Sequence, residues 1–500
     1  MVTLAREILM GKTFTQNKYL FTDLRHIRCG DLEWFSVDGT YLPTANPLGP
    51  PSPAYAEPAF VPHGIRLQSK ISKRELIPGP SSPCGRIIFD QGVYKSWYLE
   101  TQPTAICYIQ SNDGFEWSQP TRSYIDVPGK ASHEFVFFLD PVAPPDEMYK
   151  CIYPVWPDKS KLPDLWAEYQ KTHARYREPR ITQDRIQCMY GATSPDGAQW
   201  TPLTKPLFIN FGDTDNTVYY DELLQRYVMY TRKYIQERRW IGRTESKNFR
   251  DWGPIESIIW PSLESPLSND IYTNGRTAYP DLDTYHFMFP WIYERNTQTG
   301  GVCLYSSEDG IVWNQLPGEP VIPLGDPGNW DGGYIDATRD LVPFGKSRVA
   351  IRCRARNKPH KYPRWKNSPN SITDFWAWWP EGRVSGLIAD DAGEFFTFPC
   401  IPKGKELRLN VKVSRGGDLR VGFLYPGAPQ KEIPGKERNL FYNRENVTGH
   451  SIDDCDPIFG DQLSVPVHWN GDTSLGLLNE RGVTIQFRMR AAELFGFEWV

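Results

Sequence analysis

Ser111-Asn-Asp-Gly-Phe-Glu-Trp117 is the first of three copies of a seven-residue pattern, S-x-D-G-x-x-W; the others are SPDGAQW at 194–200 and SEDGIVW at 307–313. A degenerate copy, SKNFRDW, lies at 246–252. Asp-Gly favours a tight turn because the Asp side chain bonds nearby backbone N–H groups and Gly accepts a positive φ. The Trp then falls at the start of the next strand. The repeat therefore predicts strand–turn–strand units that recur along the chain.

The spacing of these units predicts a β-propeller. Successive motif tryptophans are 83, 52 and 61 residues apart, which suits four-stranded blades with insertions of variable length. A further unit is indicated at 347–353, SRVAIRC, so we predict five blades, with six or seven as alternatives. Helical periodicity is confined to 162–177, which we interpret as an insertion between strands.

The C-terminal part has a different pattern. Apolar and polar residues alternate at 407–413, 419–424 and 483–490, as they do in strands that pack on one face. We therefore predict an all-β protein, with a five-bladed β-propeller catalytic domain at 1–382 followed by a β-sandwich accessory domain at 383–500.

Composition and charge exclude several classes of function. The net charge is −4 without a basic block, so we expect no nucleic-acid partner, and no run of 18 apolar residues is present, so we expect no membrane span. The nine cysteines form no CxxC pair, and EF-hand, HExxH and phosphate-loop motifs are absent. We predict no cofactor and no metal centre, although a structural calcium ion in the propeller channel is compatible with the sequence.

The N-terminal sequence, MVTLAREILMGKTF, lacks the apolar core and the small-residue cleavage site of a signal peptide. We expect a cytoplasmic protein, or a secreted one if a leader precedes this sequence. The oligomeric state stays open.

Two runs, at 132–141 and 213–221, resemble blade patterns of five-bladed propeller glycosidases. The chain as a whole resembles the group described as glycoside hydrolase family 32 N-terminal-like, which joins a propeller related to families 32, 43 and 68 to a C-terminal β-sandwich. Other shared segments are 270–274, 328–334, 383–389 and 453–457. The resemblance implies a carbohydrate-active enzyme whose substrate is an oligosaccharide or a polysaccharide.

The chain departs from family 32 at the catalytic signatures. The N-D-P-N, R-D-P and E-C motifs are not intact, and Leu139-Asp140-Pro141 stands where R-D-P would be expected. The family's nucleophile is therefore not transferred to a numbered residue.

Glycoside hydrolysis requires one protonated and one ionised carboxyl group beside the scissile bond. Carboxyl groups near the predicted blade strands are Asp23, Glu134, Asp213, Asp215, Asp270, Glu294, Asp331 and Asp336. We predict that catalysis falls to carboxylates among Asp213, Glu294, Glu134 and Asp331, with His133 assisting. Each has a structural alternative, such as capping a turn or, for Glu294, pairing with Arg295.

The predicted substrate-binding residues are polar and aromatic side chains near these carboxyl groups. They are Asn216, Arg232, Asp270, Tyr272, Asn274, Trp330, Tyr334 and Arg352. Aromatic rings offer apolar faces to sugars, and an arginine in an apolar strand needs an acidic partner, either on the substrate or in the core.

The sequence is also compatible with two other functions. A propeller lyase would cleave uronic-acid-linked sugars by β-elimination with His133, Tyr272, Arg232 and Arg352, and its product would absorb ultraviolet light. A non-catalytic carbohydrate-binding propeller would be stabilised by glycans without cleaving them.

Overall fold

The computed structural model describes residues 17–28, 34–35, 41–42, 62–78, 85–101, 103–127, 130–131, 134–177, 184, 186–210, 212, 215–262, 265–361, 371–425, 445–476 and 482–500. These residues form 34 strands, numbered β1 to β34 along the chain, and they divide into two compact units. The propeller unit is Ile71–Gln315 with Glu319–Trp379. The C-terminal unit comprises the described residues of Met1–Lys70, Leu316–Gly318 and Pro380–Val500.

Five antiparallel sheets make up the propeller unit, as the repeat predicts. Blade 1 contains β7 (Ile87–Asp90), β8 (Val93–Thr101), β9 (Thr104–Ser111) and β10 (Thr121–Tyr124). Blade 2 contains β11 (Lys130–Ala131), β12 (Val136–Leu139), β13 (Tyr149–Trp156), β14 (Cys188–Ser194), β15 (Thr201–Pro202) and β16 (Phe208–Ile209). Blade 3 contains β17 (Thr217–Asp221), β18 (Arg226–Ile235), β19 (Arg238–Ser246) and β20 (Glu256–Ile259).

Blade 4 contains β22 (Arg276–Tyr279), β23 (Leu282–Met288), β25 (Tyr305–Ser307) and β26 (Asn314–Gln315), beside a short pair of β21 (Asn269–Ile271) and β24 (Ile292–Glu294). Blade 5 contains β27 (Tyr334–Pro343), β28 (Arg348–Arg356), β29 (Ile372–Pro380) and β6 (Lys73–Leu76). The outer strand of blade 5 thus comes from a segment that precedes blade 1, and it closes the ring.

The repeated motif forms the turn between the third and fourth strands of blades 1 to 4. In the first copy, Ser111 Oγ accepts the N–H of Gly114 at 2.9 Å, and Asp113 Oδ1 accepts the N–H groups of the next two residues at 2.8 and 2.9 Å. The copies at 194 and 307 repeat these bonds within 0.1 Å. Blade 5 has no such turn because β6 reaches it from elsewhere in the chain.

These turns also fasten neighbouring blades together. The carbonyl group of the motif glycine accepts a hydrogen bond from an aromatic residue of the preceding blade. The pairs are Trp376 with Gly114 at 3.2 Å, Trp97 with Gly197 at 2.6 Å and Tyr230 with Gly310 at 2.6 Å. In the degenerate copy, Phe249 occupies the glycine position with a φ of 65° and packs between blades 2 and 3.

One α-helix, α1 (Pro163–Lys171), interrupts blade 2, within the predicted insertion. Three single 3₁₀ turns accompany it, at Pro145–Glu147, Lys159–Lys161 and Ala174–Tyr176. Trp166 and Tyr169 of α1 pack against the apolar core of blade 2.

The C-terminal unit is built on one curled sheet of eight strands. Its members are β1 (Lys18–Leu20), β2 (Ile27–Arg28), β5 (Arg66–Ser69), β30 (Ser385–Thr397), β31 (Leu407–Tyr425), β32 (Glu445–Asn446), β33 (Asp461–Pro466) and β34 (Thr484–Trp499). A separate short hairpin joins β3 (Trp34–Phe35) to β4 (Tyr41–Leu42). The long strands β30, β31 and β34 carry register shifts, which let one sheet bend around its own core.

These observations confirm the all-β class and the five-bladed propeller. The predicted β-sandwich is not confirmed: the described residues of this unit form a single curled sheet of eight strands. The chain enters the C-terminal unit at Pro380, close to the predicted boundary after residue 382. The first domain predicted, 1–382, nevertheless contains strands that the structure assigns to the C-terminal unit, because β1 pairs with β34 and β5 pairs with β30.

Candidate active site

A cavity of about 270 Å³ lies where the inner strands of the propeller begin. Gly85, Glu134 and Asp215 each stand two residues before an inner strand, β7, β12 and β17 respectively, and all three line the cavity. Asp336, the third residue of β27, completes the group. Trp97 on β8 also lines the cavity.

Arg339 joins two of these carboxylates. Its Nε donates to Asp215 Oδ1 at 2.8 Å, and Nη2 donates to Glu134 Oε2 at 3.0 Å. Its Nη1 donates to the Phe135 carbonyl oxygen at 2.8 Å, which fixes the guanidinium plane against blade 2. One cation therefore holds two acidic side chains from different blades at the mouth of the propeller.

Asp215 is held in an unusual backbone conformation. Its φ is 54°, which is uncommon for a residue with a side chain. Oδ2 accepts the N–H of Gly275 at 2.6 Å and the N–H of Asn274, whose side-chain amide also bonds the Asp215 carbonyl. The Asp215 N–H donates to Glu134 Oε2 at 3.1 Å. Strain of this kind persists only where surrounding bonds impose it.

A bulge in β27 directs Arg339 towards the cavity. Between the pairs Ala337 with Cys353 and Leu341 with Ile351, three residues of β27 face a single residue of β28. Such an insertion re-aims side chains at the point where it occurs. Arg339 thereby bonds the carboxylates at the mouth, while Asp340 accepts the N–H of Ile87 at 2.9 Å deeper in the ring.

Arg86 fills the propeller axis below the cavity. Its Nη1 donates to the carbonyl oxygens of Phe137 at 2.6 Å and Val218 at 2.8 Å, and its Nε donates to Asp340 Oδ1 at 2.8 Å. Backbone carbonyls and a carboxylate are the ligands that Ca²⁺ prefers, but here they surround a guanidinium group. Elsewhere in the described residues, no group of three or more acidic, His or Cys side chains is arranged to hold a metal.

The pKa of Asp336 is raised from 3.8 to about 7. Burial is the main cause, and the nearby negative charges of Asp215 and Glu134 add to it, whereas Arg354 and Arg339 oppose it. A carboxyl group in this state holds its proton near neutral pH. The cavity thus contains a carboxyl group that titrates near neutral pH beside two acidic side chains that are paired with a cation.

A second ionic cluster also lines the cavity. Arg352 Nη2 and Arg354 Nε donate to the two oxygens of Asp374, at 2.7 and 3.1 Å. Burial by itself would raise the pKa of Asp374, but these two guanidinium groups outweigh it and the pKa lies below its ordinary value.

An aromatic cluster adjoins Asp336 on the side of blade 4. Tyr334, two residues before Asp336 on β27, stacks on Trp291 with ring centroids 4.8 Å apart. Tyr272 and Tyr293 pack against the same Trp291, at 4.5 and 5.1 Å. His360 contacts this cluster through a hydrogen bond of 3.0 Å between its Nε2 and the Tyr272 hydroxyl.

The predicted catalytic residues are not all brought together. Glu134 lines the cavity, whereas Asp213 and His133 lie outside the described residues. Asp331 forms an ion pair with Arg74 of β6 and is not part of the cavity lining. Glu294 Oε1 accepts the N–H of Asn296 at 3.1 Å in the turn after β24, so Glu294 caps that turn and does not line the cavity.

The predicted binding residues fall into three places. Arg352 lines the cavity, and Asn274 supports Asp215 at its edge. The aromatic cluster contains Tyr272 and Tyr334. Its rim contains Arg232, which lies 4.3 Å above the Tyr272 ring, and Asp270, which binds Arg239 and Arg295. Asn216 accepts a bond from Thr231 at 2.6 Å in the core, and Trp330 packs edge-on against Phe375.

Sequence reasoning did not select Arg339, Arg354 or Asp374, and it considered Asp215 and Asp336 without choosing them. A signal for Arg339 was present in the sequence, since Asp336, Arg339 and Asp340 place three charges among the apolar residues of β27. Buried charges in a strand require partners, and here the partners are the carboxyl groups of the cavity.

No protein-family model and no curated protein matches this chain. Solved structures similar to the chain include an N-acetylgalactosamine deacetylase from F. plautii in complex with blood group B trisaccharide, 12% identical over 64% of this chain and 96% of its own, with a TM-score of 0.40. A thermostable family-43 glycoside hydrolase is 11% identical over 60% and 90%, with a TM-score of 0.40. A fructofuranosidase from Schwanniomyces occidentalis is 12% identical over 86% and 96%, with a TM-score of 0.36.

The five-bladed propeller that the resemblance implies is present in the structure. Among the described residues, none of the helices combines the length and the apolar character needed to cross a bilayer.

Proposed function

We propose that the protein is a glycoside hydrolase that cleaves an oligosaccharide or polysaccharide in the cavity at the mouth of the propeller. The observation that carries the proposal is the contrast between Asp336, whose pKa is raised to about 7, and Glu134 and Asp215, which form ion pairs with Arg339. Carboxyl groups with opposite protonation states in one cavity are what acid/base cleavage of a glycosidic bond requires.

The geometry supports a distinct role for each carboxyl group. Asp336, with a pKa of about 7, is the general acid that protonates the leaving oxygen. Both oxygens of Asp215 accept hydrogen bonds, which lowers its nucleophilicity, so we assign it the stabilisation of positive charge on the sugar ring. Glu134 Oε2 accepts hydrogen bonds from Arg339 and from the Asp215 N–H, and we assign Glu134 the role of base or nucleophile.

Single substitutions test this assignment on a panel of aryl glycosides and natural glycans. Asp336→Asn is expected to lower kcat about 10²–10⁴-fold on glycans, because their sugar leaving groups need to be protonated as they depart. The decrease should be much smaller on nitrophenyl glycosides, because nitrophenolate departs without protonation. Glu134→Gln is expected to lower kcat to a similar extent on natural glycans and on nitrophenyl glycosides. Glu294→Gln is the matched control, because Glu294 caps a turn outside the cavity lining. Unchanged activity in the Asp336, Glu134 and Asp215 variants would contradict the proposal.

The same assays separate the two alternative functions. A lyase product would carry a new double bond with ultraviolet absorbance, whereas a hydrolase product would not. A purely binding propeller would show glycan-induced thermal stabilisation without products from any member of the panel. Among the described arginines that line the cavity, Arg339, Arg352 and Arg354 each pair with a carboxylate of the protein, which favours hydrolysis over a uronate-clamping lyase site.

A further inference from the structure

Beyond Arg354, the polypeptide continues with basic side chains at alternate positions. Arg356 ends β28, and Lys358 and His360 follow it. On the paired strand, Tyr334 stands opposite Arg356 and Asp336 stands opposite Arg354. Directly opposed residues share one face of a sheet, so Arg356 lies on the same face as the proposed general acid, two positions away. Two strand positions span about 7 Å, roughly the length of one sugar residue.

The positive charge around this segment is not neutralised by nearby acids. Asp270 is already bound by Arg239 at 2.6 Å and by Arg295 at 3.0 Å. Within the part of the chain that the structure describes, no carboxylate lies within ion-pair distance of Arg356 or Lys358.

The behaviour of His360 shows the same excess of positive charge. Its pKa is lowered from 6.5 to about 4, first by burial and then by Lys361, Arg239, Arg356 and Arg232. The four charges that contribute most to this shift are all positive, and with a pKa of about 4 the ring is neutral at pH 7. His360 Nε2 and the Tyr272 hydroxyl share a hydrogen bond, and in the tautomer in which the hydroxyl donates, the ring proton of His360 is on Nδ1.

Three polar atoms in this segment are buried and lack a hydrogen-bond partner: Arg356 Nε, Lys358 Nζ and His360 Nδ1. Buried donors of this kind are costly unless an acceptor occupies the site. Two are cationic groups and the third is a neutral N–H, a combination that suits an oxyanion.

The segment is fixed in place on both sides. A Cβ atom on Gly333 would lie 2.1 Å from the Lys358 carbonyl oxygen, so only glycine allows this close approach. The N–H groups of His360 and Lys361 donate to the carbonyl and side-chain oxygens of Gln298 at 2.9 and 3.0 Å. The donors are therefore preorganised between blades 4 and 5.

We propose that Arg356, Lys358 and His360 form a subsite for an oxyanion substituent, a carboxylate or a sulfate, on a sugar next to the cleaved bond. The orientation relative to the cleaved bond rests on the proposed function, whereas anion recognition itself does not. The substrate class is accordingly an acidic oligosaccharide or polysaccharide that presents a neutral sugar to the cavity.

Binding of small sugars tests this subsite without any cleavage. Isothermal titration compares glucuronate, glucose 6-sulfate and glucose with the wild-type protein. We expect at least one of the anionic sugars to bind about tenfold or more tightly than glucose, with an affinity that falls as salt is raised. Which of the two binds identifies carboxylate or sulfate as the substituent. Equal affinity for all three sugars would overturn the proposal.

Substitutions that remove a positive charge test whether Arg356 and Lys358 cause the preference for anionic sugars. Lys358→Met and Arg356→Met are each expected to remove the preference for the anionic sugar by about tenfold, whereas Arg356→Lys keeps part of it. Arg348→Met is the matched control, because Arg348 lies on the same strand and pairs with Glu75 at 3.6 Å away from the cavity lining. A preference that survives both methionine variants would also overturn the proposal.

The outcomes separate this inference from the proposed function. If the protein prefers anionic sugars but cleaves no glycan, the subsite proposal stands and the proposed hydrolase activity is refuted. If the protein cleaves neutral glycans but does not prefer anionic sugars, the subsite proposal is refuted and the proposed hydrolase activity stands.

Discussion

Replacement of Asp336 by asparagine is expected to stabilise the protein at neutral and alkaline pH. The carboxyl group is surrounded by Asp215 and Glu134, and burial adds to the cost of its negative charge. Asparagine has nearly the same shape and no charge, so the substitution removes the repulsion without opening a cavity. A stability gain on loss of a polar residue is characteristic of groups held in place for chemistry.

The magnitude follows from the pKa of Asp336. The folded value of about 7 lies above the ordinary value of 3.8, so the folded protein binds this proton more tightly than the unfolded chain does. Below pH 4 both states are protonated and the stabilising contribution of the bound proton is fully present. It is lost as the pH rises towards 7 and is absent above it. Three pKa units correspond to an upper limit of about 4 kcal/mol.

Urea denaturation of the wild type and Asp336→Asn at pH 4, 5.5, 7 and 8.5 measures this difference. The variant should match the wild type at pH 4 and exceed it increasingly up to pH 7, with no further change at 8.5. Asp331→Asn is the control of opposite sign, because Asp331 is paired with Arg74 and its loss leaves a cation without its partner. A variant at position 336 that is less stable at pH 8.5, or a difference independent of pH, would refute the assignment.

Further predictions concern the axis and the blade turns. Arg86→Met is expected to cost about 3–5 kcal/mol because it leaves Asp340 buried without its cation. Because a guanidinium group already occupies the axis, a chelator should not change the wild-type melting temperature; a large drop on chelation would indicate a bound metal. Gly197→Ala should destabilise more than Gly92→Ala, since both have positive φ, but only at Gly197 does a Cβ atom come within 2.9 Å of the Trp97 ring. Equal unfolding free energies for these two variants would contradict the fastening role of the turn.

The repeat made the propeller predictable from the sequence because the turn chemistry is local. Within each turn the side chains of Ser and Asp accept hydrogen bonds from N–H groups of the motif itself, so the same letters give the same turn in each copy. The closing strand β6 could not be predicted in this way. Its four residues, KREL, have no turn motif and pair with β29 roughly 300 positions away, and that pairing follows from the closure of the ring.

The candidate site was only partly predictable for a related reason. Glu134 was selected because an acidic residue stands before a strand, and that local position places it at the cavity. Asp331 satisfied the same local criterion, but its partner is Arg74 from β6. Arg339 faces the carboxylates only because a bulge turns it inward, and the bulge is a property of the pairing between β27 and β28. Protonation of Asp336 depends on charges contributed by blades 2 and 3.

Closure of the ring and construction of the site involve the same blade. Arg74 of the closing strand bonds Asp331, which stands three residues before β27. The same β27 then contributes Tyr334 to the aromatic cluster and Asp336 to the cavity. Because the closing strand holds the segment that leads into β27, the ion pair between Arg74 and Asp331 positions the strand that carries the proposed general acid. An acidic residue near an active site can therefore matter for activity without touching the substrate. Its bonding partner in the structure distinguishes a carboxylate that positions a strand from one that acts on the substrate.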